Sequence, residues 1–324
     1  MSFVDRVDRY QRRHPVVGYP LAVIYKFFDD QGNYLAMTIT YNAFVAVFPL
    51  LLISSSVLGF FLAGDVELQK TILNSALAEF PIIGTQLATP QGMQGSLGAV
   101  LTGGLIALYG VLGLGQALQN AVNVGWSVPR NSRRNPFKSR LWSAVLLSLA
   151  GIVVLGLAIL TSFSGSVMGW TPELTQGIGW LVQVVSLVVS IAGLTLLLRW
   201  ASPAHSPWRH TVPGAAFIMI LWRGVQKFGG FYVERVLARV DDVSAVFALS
   251  LGLIGLLYVA ANVLVLGIEI NVVLAEKLFP RALLTPFTDQ VDLTDADRRA
   301  YTRYAQAQRH KGFESVDVEF KTPA

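Results

Sequence analysis

Apolar residues are grouped along this chain into runs that are long enough to cross a lipid bilayer. A membrane-spanning helix needs about 20 predominantly apolar residues, and the run 244–275 meets this requirement with a single formal charge, Glu269. Five further apolar runs precede it, and polar or charged segments separate them. The pattern predicts six transmembrane helices, at about 34–62, 96–120, 141–169, 177–200, 211–233 and 244–275.

The segments around these runs have a different character. The first, 1–33, lacks the apolar core of a signal peptide, and its portion 16–31 has the pattern of an amphipathic helix lying at the membrane surface, with aromatic rings at headgroup depth. A solvated tail is the alternative for this portion. Residues 63–95 are too polar to span and indicate a short amphipathic helix followed by turns. The tail 276–324 is polar and is expected to be partly helical.

Composition favours the same class of protein. Hydrophobic residues make up 53% of the chain and charged residues 14%, whereas soluble proteins contain about 25% charged residues. We therefore expect an all-α, polytopic integral membrane protein with a transmembrane domain at 34–275. The chain has no cysteine, which excludes disulfides, thiol nucleophiles and cysteine-ligated metals.

The placement of Lys and Arg predicts the orientation in the membrane. The N-terminus, the 127–140 loop, the 199–210 turn and the C-terminus carry 5, 5, 2 and 8 of these residues, and the three opposite loops carry 1, 0 and 2. Because cytoplasmic loops are enriched in Lys and Arg, both termini are expected in the cytoplasm. Anionic lipid headgroups account for the basic balance, and no nucleic acid is needed to explain it.

Several polar side chains fall inside the predicted spans, where they are costly. A carboxylate at the centre of a membrane helix costs at least ~2.5 kcal/mol on insertion scales, so Glu269 is expected to face a partner or a wet cavity. Tyr258 and Asn262 share its helical face. That face either packs inside the bundle or lines a substrate path, and the sequence leaves both readings open. The candidate path residues are Tyr41, Asn120, Asn123, Arg223, Lys227, Asn262 and Glu269.

The sequence predicts positions or effects for two basic residues of the fifth span and for one proline of the first span. Arg223 lies 14 residues beyond Arg209, or about 21 Å along a helix, which places it near mid-bilayer. A pair with Glu269 is one alternative, across an expected depth difference of about 9 Å. Lys227 is expected to snorkel outward or to bind a headgroup. Pro49 should kink the first span, because it removes one backbone hydrogen bond.

Four motifs resemble those of a known family. They are A-x-x-Y-x-x-F/L-x-x-x-F-P-L-L in the first span, A-L-x-x-A-x-N-x-x-W at the end of the second, W-x-x-x-x-P-G-A at the start of the fifth and L-G-A-E-x-N at the end of the sixth. On these motifs the chain is similar to the YihY / virulence factor BrkB family. Ile268 replaces the usual Ala, and Arg223 is a departure in the fifth helix. The matching residues are Tyr41, Phe48, Pro49, Leu50, Leu51, Ala117, Leu118, Ala121, Asn123, Trp126, Trp208, Pro213, Gly214, Ala215, Gly267, Glu269 and Asn271.

The resemblance implies a bacterial inner-membrane protein of six helices with no established catalytic chemistry. Some members are linked to serum resistance, and a related branch has been proposed to move lipid or lipopolysaccharide precursors. An older label for the family, ribonuclease BN, did not hold.

Three functions are weighed. The first is a transporter or flippase for an anionic lipid or envelope precursor, because such a path needs cations for phosphate and polar side chains for hydroxyls. The alternative is a non-transporting scaffold or envelope-integrity protein that recruits partners through its basic loops. A hydrolase is disfavoured, because the four histidines are scattered and neither a nucleophile elbow nor a phosphate-binding loop is present.

The preference for a transporter or scaffold over a hydrolase determines which sites and partners are expected. No catalytic residue, metal or cofactor is predicted. The expected partners are membrane lipids, chiefly through anionic headgroups, and no nucleic acid is expected. A second copy of the chain or another membrane protein is a further alternative.

Overall fold

A computed structural model describes residues 3–61, 97–167, 175–202, 207–235, 242–283, 287 and 291–321. Within these ranges it contains nine α-helices and no strands, which confirms the all-helical class. The helices are α1 (Phe3–Arg13), α2 (Pro15–Asp29), α3 (Gly32–Phe61), α4 (Leu97–Gly125), α5 (Pro136–Val167), α6 (Thr175–Ala201), α7 (Trp208–Arg235), α8 (Asp242–Ala275) and α9 (Asp295–Ala307).

Helices α3 to α8 coincide with the six predicted spans, and their ends agree with the predicted ends to within five residues. They contain 27 to 34 residues each, which corresponds to about 40–50 Å of helix. Among the described residues, two stretches combine the length and hydropathy needed to cross a membrane, Gln183–Ala201 in α6 and Ser250–Ala275 in α8. The count of six spans stays a prediction, and the predicted short helix at 63–95 lies outside the described residues.

Helix α8 is the centre of the packing. It contacts α2, α3, α4 and α7, while α5 packs between α4 and α6. The approach of α7 to α8 depends on two glycines, because a Cβ at Gly214 would overlap the carbonyl oxygen of Gly267, and a Cβ at Gly267 would overlap Ile218. Small residues permit this kind of close helix contact. Helix α3 continues through Pro49, whose side chain lies outside the described residues, so the kink there stays a prediction.

Helix α2 corresponds to the predicted interfacial helix at 16–31, but one of its faces packs on protein. Tyr25 and Phe27 are buried, whereas Tyr19 and Phe28 are exposed. The buried face joins the same apolar core as α3, α4 and α8. Half of the aromatic rings that the pattern assigns to headgroup depth are therefore used for packing, because the end of α8 offers an apolar surface to them.

The N-terminal helices and the segment after α8 are fastened to each other by a buried ion cluster. Arg281 is fully buried and forms ion pairs with Asp297 and, at 3.0 Å, with Asp29. Its carbonyl oxygen accepts a hydrogen bond of 2.7 Å from the buried side chain of Gln11. We call Arg281, Asp29 and Asp297 the Arg281 cluster. The predicted segments 1–33 and 276–324 thus form one structural unit at this end of the helical bundle.

Candidate functional site at the end of the helical bundle

A second buried ion cluster lies where α2 meets the end of α8. Lys26 of α2 pairs with Asp30, which caps the C-terminus of α2, and its Nζ lies 3.6 Å from Oε2 of Glu269 on α8. The Lys26 Nζ also donates a hydrogen bond of 3.0 Å to the carbonyl oxygen of Gly125. We call Lys26, Asp30 and Glu269 the Lys26 cluster. Their side chains are 5%, 1% and 0% exposed, respectively.

The Lys26 cluster contains one base and two acids. Among the described residues, neither carboxylate oxygen of Glu269 has a hydrogen-bond partner. Burial lowers the pKa of Lys26, but the carboxylates of Glu269 and Asp30 outweigh burial, so the pKa of Lys26 is raised overall. Burial raises the pKa of Asp30, and Lys26 opposes that shift without cancelling it. The ammonium is therefore held in its charged form, whereas the two carboxyls compete for it.

A cavity of about 580 Å³ adjoins this cluster. Asp30 belongs both to the Lys26 cluster and to the cavity wall, so this residue connects the buried cluster to the cavity. Part of the cavity wall is basic, since the loop after α4 contributes two arginines to it. We call this space the basic cavity, and its polar lining includes Asp30, Tyr34, Asn120, Arg130, Arg133 and Tyr304.

The two arginines are held at the cavity wall by weak contacts that leave donors for a ligand. Arg133 donates to the carbonyl oxygen of Val128 at 3.2 Å and to the side-chain oxygen of Asn120 at 3.3 Å. Arg130 lies 3.3 Å from the ring Nε2 of His310. Burial, and then the charge of Arg130, lower the pKa of Arg133. An anion between the two guanidinium groups would relieve this repulsion and accept several charge-assisted hydrogen bonds.

An apolar groove of about 460 Å³ lies between α3 and α8 on the side of α3 that also forms the basic cavity. Tyr34 and Leu35 line the cavity, and Met37 and Tyr41 line the groove one to two turns further along the same helix. Tyr41 is 67% exposed, so the groove is open at its outer side. We call this feature the apolar groove, and its lining residues are Met37, Thr40, Tyr41, Phe44, Ile254 and Tyr258.

The predicted path residues are distributed over several places. Glu269 belongs to the Lys26 cluster, Asn120 lines the basic cavity and Tyr41 lines the apolar groove. Asn262 donates to a carbonyl of its own helix, that of Tyr258, at 2.8 Å. Asn123 is half-buried near the end of α4. Asn120, Tyr41 and Glu269 therefore lie around one end of α3, whereas the amide group of Asn262 is used within α8.

Arg223 and Glu269 do not pair. Arg223 donates to the hydroxyl of Ser186 on α6 at 3.3 Å, whereas Glu269 faces Lys26. The reason is geometric, because Glu269 lies near the end of α8, where α2 reaches it, and Arg223 lies within α7 on the side of α6. Lys227 is exposed on α7, which is compatible with the predicted snorkelling.

The sequence interpretation did not assign a site role to Lys26, Asp30, Arg130 or Arg133. The three basic residues counted as topology signals, because Lys and Arg outside the spans are orientation determinants. The sequence contained one local signal for a pairing of Lys26 with Asp30. Lys26 and Asp30 are four residues apart at the end of a helix that is otherwise apolar and aromatic, a spacing at which opposite charges meet.

The motif residues hold this site in place. The backbone amide of Gly214 donates a hydrogen bond of 2.9 Å to the side chain of Asn271 on α8. A Cβ at Gly125 would lie 3.0 Å from Ile268 and 3.3 Å from Glu269, so the end of α4 rests closely against the same turn of α8. Trp126 is buried in the core beside it. These motifs therefore fix the turn of α8 that carries Glu269.

Comparisons with known proteins agree with these motifs. The sequence model of the family described as "Virulence factor BrkB" matches residues 23–288. An uncharacterized protein of Dickeya dadantii is 30% identical over 61% of this chain and 65% of its own length. A UPF0761 membrane protein of Psychrobacter is 24% identical over 84% of this chain and 52% of its own length.

A third relative is the inner membrane protein YhjD of Escherichia coli (strain K12), which is 24% identical over 78% of this chain and 79% of its own length. The chain thus spans about half to two thirds of the first two relatives. No solved structure matches this chain. The resemblance that the four motifs indicate is confirmed.

Proposed function

Because this chain belongs to the BrkB virulence factor family of membrane proteins, we propose that it is a six-span inner-membrane protein that binds and moves an anionic lipid or envelope precursor. The inner-membrane location is supported by the name of the related protein YhjD. The N-terminal helices and the segment after α8 pack together through Gln11 and Arg281, which supports an even number of spans between them. The excess of Lys and Arg on the segments at this end favours a cytoplasmic location for both termini.

The observation that supports a lipid ligand is the adjacency of the basic cavity and the apolar groove. An amphiphile has a polar headgroup and an acyl chain, and these two parts match the two spaces. From Tyr34 in the cavity to Tyr41 in the groove, α3 advances by seven residues, or about 10 Å. A phosphate between Arg130 and Arg133 would thus place an acyl chain within reach of the groove.

Reconstitution into liposomes tests this proposal. The full chain is expected to move fluorescent phosphatidylglycerol across the bilayer faster than fluorescent phosphatidylcholine, measured by the fraction that an external reductant can quench. The variant Arg130→Gln/Arg133→Gln should lower the rate about tenfold or more, because a hydrogen bond to a charged group is worth about 1.5–3 kcal/mol.

The control removes the same charge from the same region. Lys138 and Arg140 are exposed at the start of α5 and do not line the basic cavity, so Lys138→Gln/Arg140→Gln should keep the wild-type rate. Equal loss in both double variants would refute the cavity as the headgroup site. If the wild type binds phosphatidylglycerol in native mass spectrometry but moves no lipid, transport is refuted and the non-transporting scaffold replaces it.

A further inference from the structure

The Lys26 cluster carries an excess of negative charge on side chains that are almost fully buried. One ammonium faces two carboxyl groups, and the side chains are 5%, 1% and 0% exposed. An unpaired buried charge is strongly unfavourable, and Glu269 receives no hydrogen bond that would compensate it among the described residues. The arrangement therefore requires one more positive charge than its side chains supply.

The neighbouring groups do not supply that charge. On α2, Asp29 is acidic and is paired with Arg281 at 3.0 Å. From α4 the contact is the carbonyl oxygen of Gly125, which is an acceptor. After α8, Glu276 is paired with Arg303 at 2.6 Å. On the side of the cavity, Arg130 and Arg133 belong to the lining, but their hydrogen bonds go to residues other than Asp30.

We propose that the Lys26 cluster binds one exchangeable proton, shared between the carboxyl groups of Asp30 and Glu269, and that an anion in the basic cavity strengthens its binding. Protonation makes the cluster neutral overall. The protonated carboxyl group can then donate a hydrogen bond to the other carboxyl group. Asp30 lines the cavity, so the proton has a route to water that does not require the helices to separate.

Linkage between the two sites follows from the position of Asp30. A phosphate held by Arg130 and Arg133 adds negative charge close to Asp30 and favours the protonated form of the pair. By thermodynamic reciprocity, the proton then favours binding of the anion by the same factor, typically about 5- to 150-fold. The nature of the anion rests on the proposed function, whereas the proton site rests on the buried charges alone.

Infrared spectroscopy of the full chain in phosphatidylcholine nanodiscs tests the proton site. A pH titration should show the C=O stretch of a protonated carboxyl group with a shift in D₂O. Glu269→Gln should abolish the titration of this band, and Asp30→Asn should shift its midpoint. Glu276→Gln, which removes a partly exposed carboxylate from the same region, should leave the band unchanged.

The outcomes separate this proposal from the proposed function. A band that still titrates in Glu269→Gln, a midpoint that Asp30→Asn leaves unchanged, or a cluster that binds sodium without a titrating carboxyl band would overturn the proton site. If one variant does not fold, the other still decides the point. The Arg130→Gln/Arg133→Gln variant should keep the band and lose its shift on addition of phosphatidylglycerol. A band that is present in a protein that moves no lipid would leave the proton site standing and refute transport.

Discussion

The two buried ion clusters at this end of the protein contain the same numbers of basic and acidic groups, but they differ in the hydrogen bonds that their carboxylates accept. Each combines one base with two acids. In the Arg281 cluster, the carboxylate of Asp297 accepts hydrogen bonds from the amide of Ala282 at 2.9 Å and from the amide and hydroxyl of Thr294 at 3.0 and 2.7 Å. Asp297 also lies in the first turn of α9, where the helix dipole favours negative charge.

The Lys26 cluster lacks such support. Glu269 lies within α8, whose amides are already used in helical hydrogen bonds, and its carboxylate oxygens have no hydrogen-bond partner among the described residues. Asp30 lies beside a cavity, whereas Arg281 and Asp297 are fully buried. The comparison distinguishes two roles that a buried cluster of one base and two acids can have. The cluster whose acid accepts several hydrogen bonds fastens the N-terminal helices to the segment after α8, and the cluster whose acid accepts none, beside a cavity, can exchange a proton.

The largest effect is expected from Arg281→Met. Removal of the base leaves the buried Asp297 and the partly exposed Asp29 without their partner, and breaking a buried pair in this way costs about 3–5 kcal/mol. Limited proteolysis and thermal unfolding of the nanodisc-bound protein should show release of the C-terminal segment and a lower Tm. Arg298→Met, at an exposed site on α9, is the control. Equal stability of the two variants would contradict the fastening role.

The next largest effect is expected from Lys26→Met, and it should depend on pH. Burial raises the pKa of Asp30, so without Lys26 the folded state binds protons more tightly than the unfolded chain. Stability should fall as the pH rises above the ordinary carboxyl range, with a loss of about 3 kcal/mol at neutral pH, and should recover on acidification. Denaturation at several pH values measures this. A loss that is independent of pH would count against the shared proton, and the double variant Lys26→Met/Glu269→Gln should restore part of the stability.

A smaller effect is expected from Gly214→Ala, which tests whether the close packing of α7 on α8 supports the part of α8 that carries Glu269. The new methyl group would overlap backbone atoms of α8, and overpacking of this kind costs about 1–3 kcal/mol. Gly224→Ala on the same helix meets nothing within 4 Å and should be neutral or slightly stabilising. If thermal unfolding shows the same Tm for both variants, the close approach of α7 to α8 does not support the site.

Much of the fold could be predicted from the sequence because apolar runs report directly on helices. The boundaries of α8 and the unusual position of Glu269 follow from one charge in a long apolar stretch. The partner of Glu269 could not be predicted, since Lys26 comes from the other end of the chain and no local pattern links the two. Arg223 shows the same limit. Its depth follows from its distance to the end of the helix, but its contact with Ser186 depends on how α7 is rotated against α6.

The smallest effect is expected from Glu269→Gln. The direction of its effect on stability distinguishes the two clusters better than any other substitution. Glutamine has the shape of a protonated glutamate, so the substitution removes the excess charge of the Lys26 cluster and leaves Lys26 paired with Asp30. Stability at neutral pH should be unchanged or higher by up to about 1 kcal/mol. The pH dependence of unfolding should become flatter than in the wild type. The matching change in the Arg281 cluster, Asp297→Asn, removes a helix cap and a salt bridge and should destabilise at the same pH. If both substitutions destabilise equally, the Lys26 cluster is a structural ion pair like its neighbour.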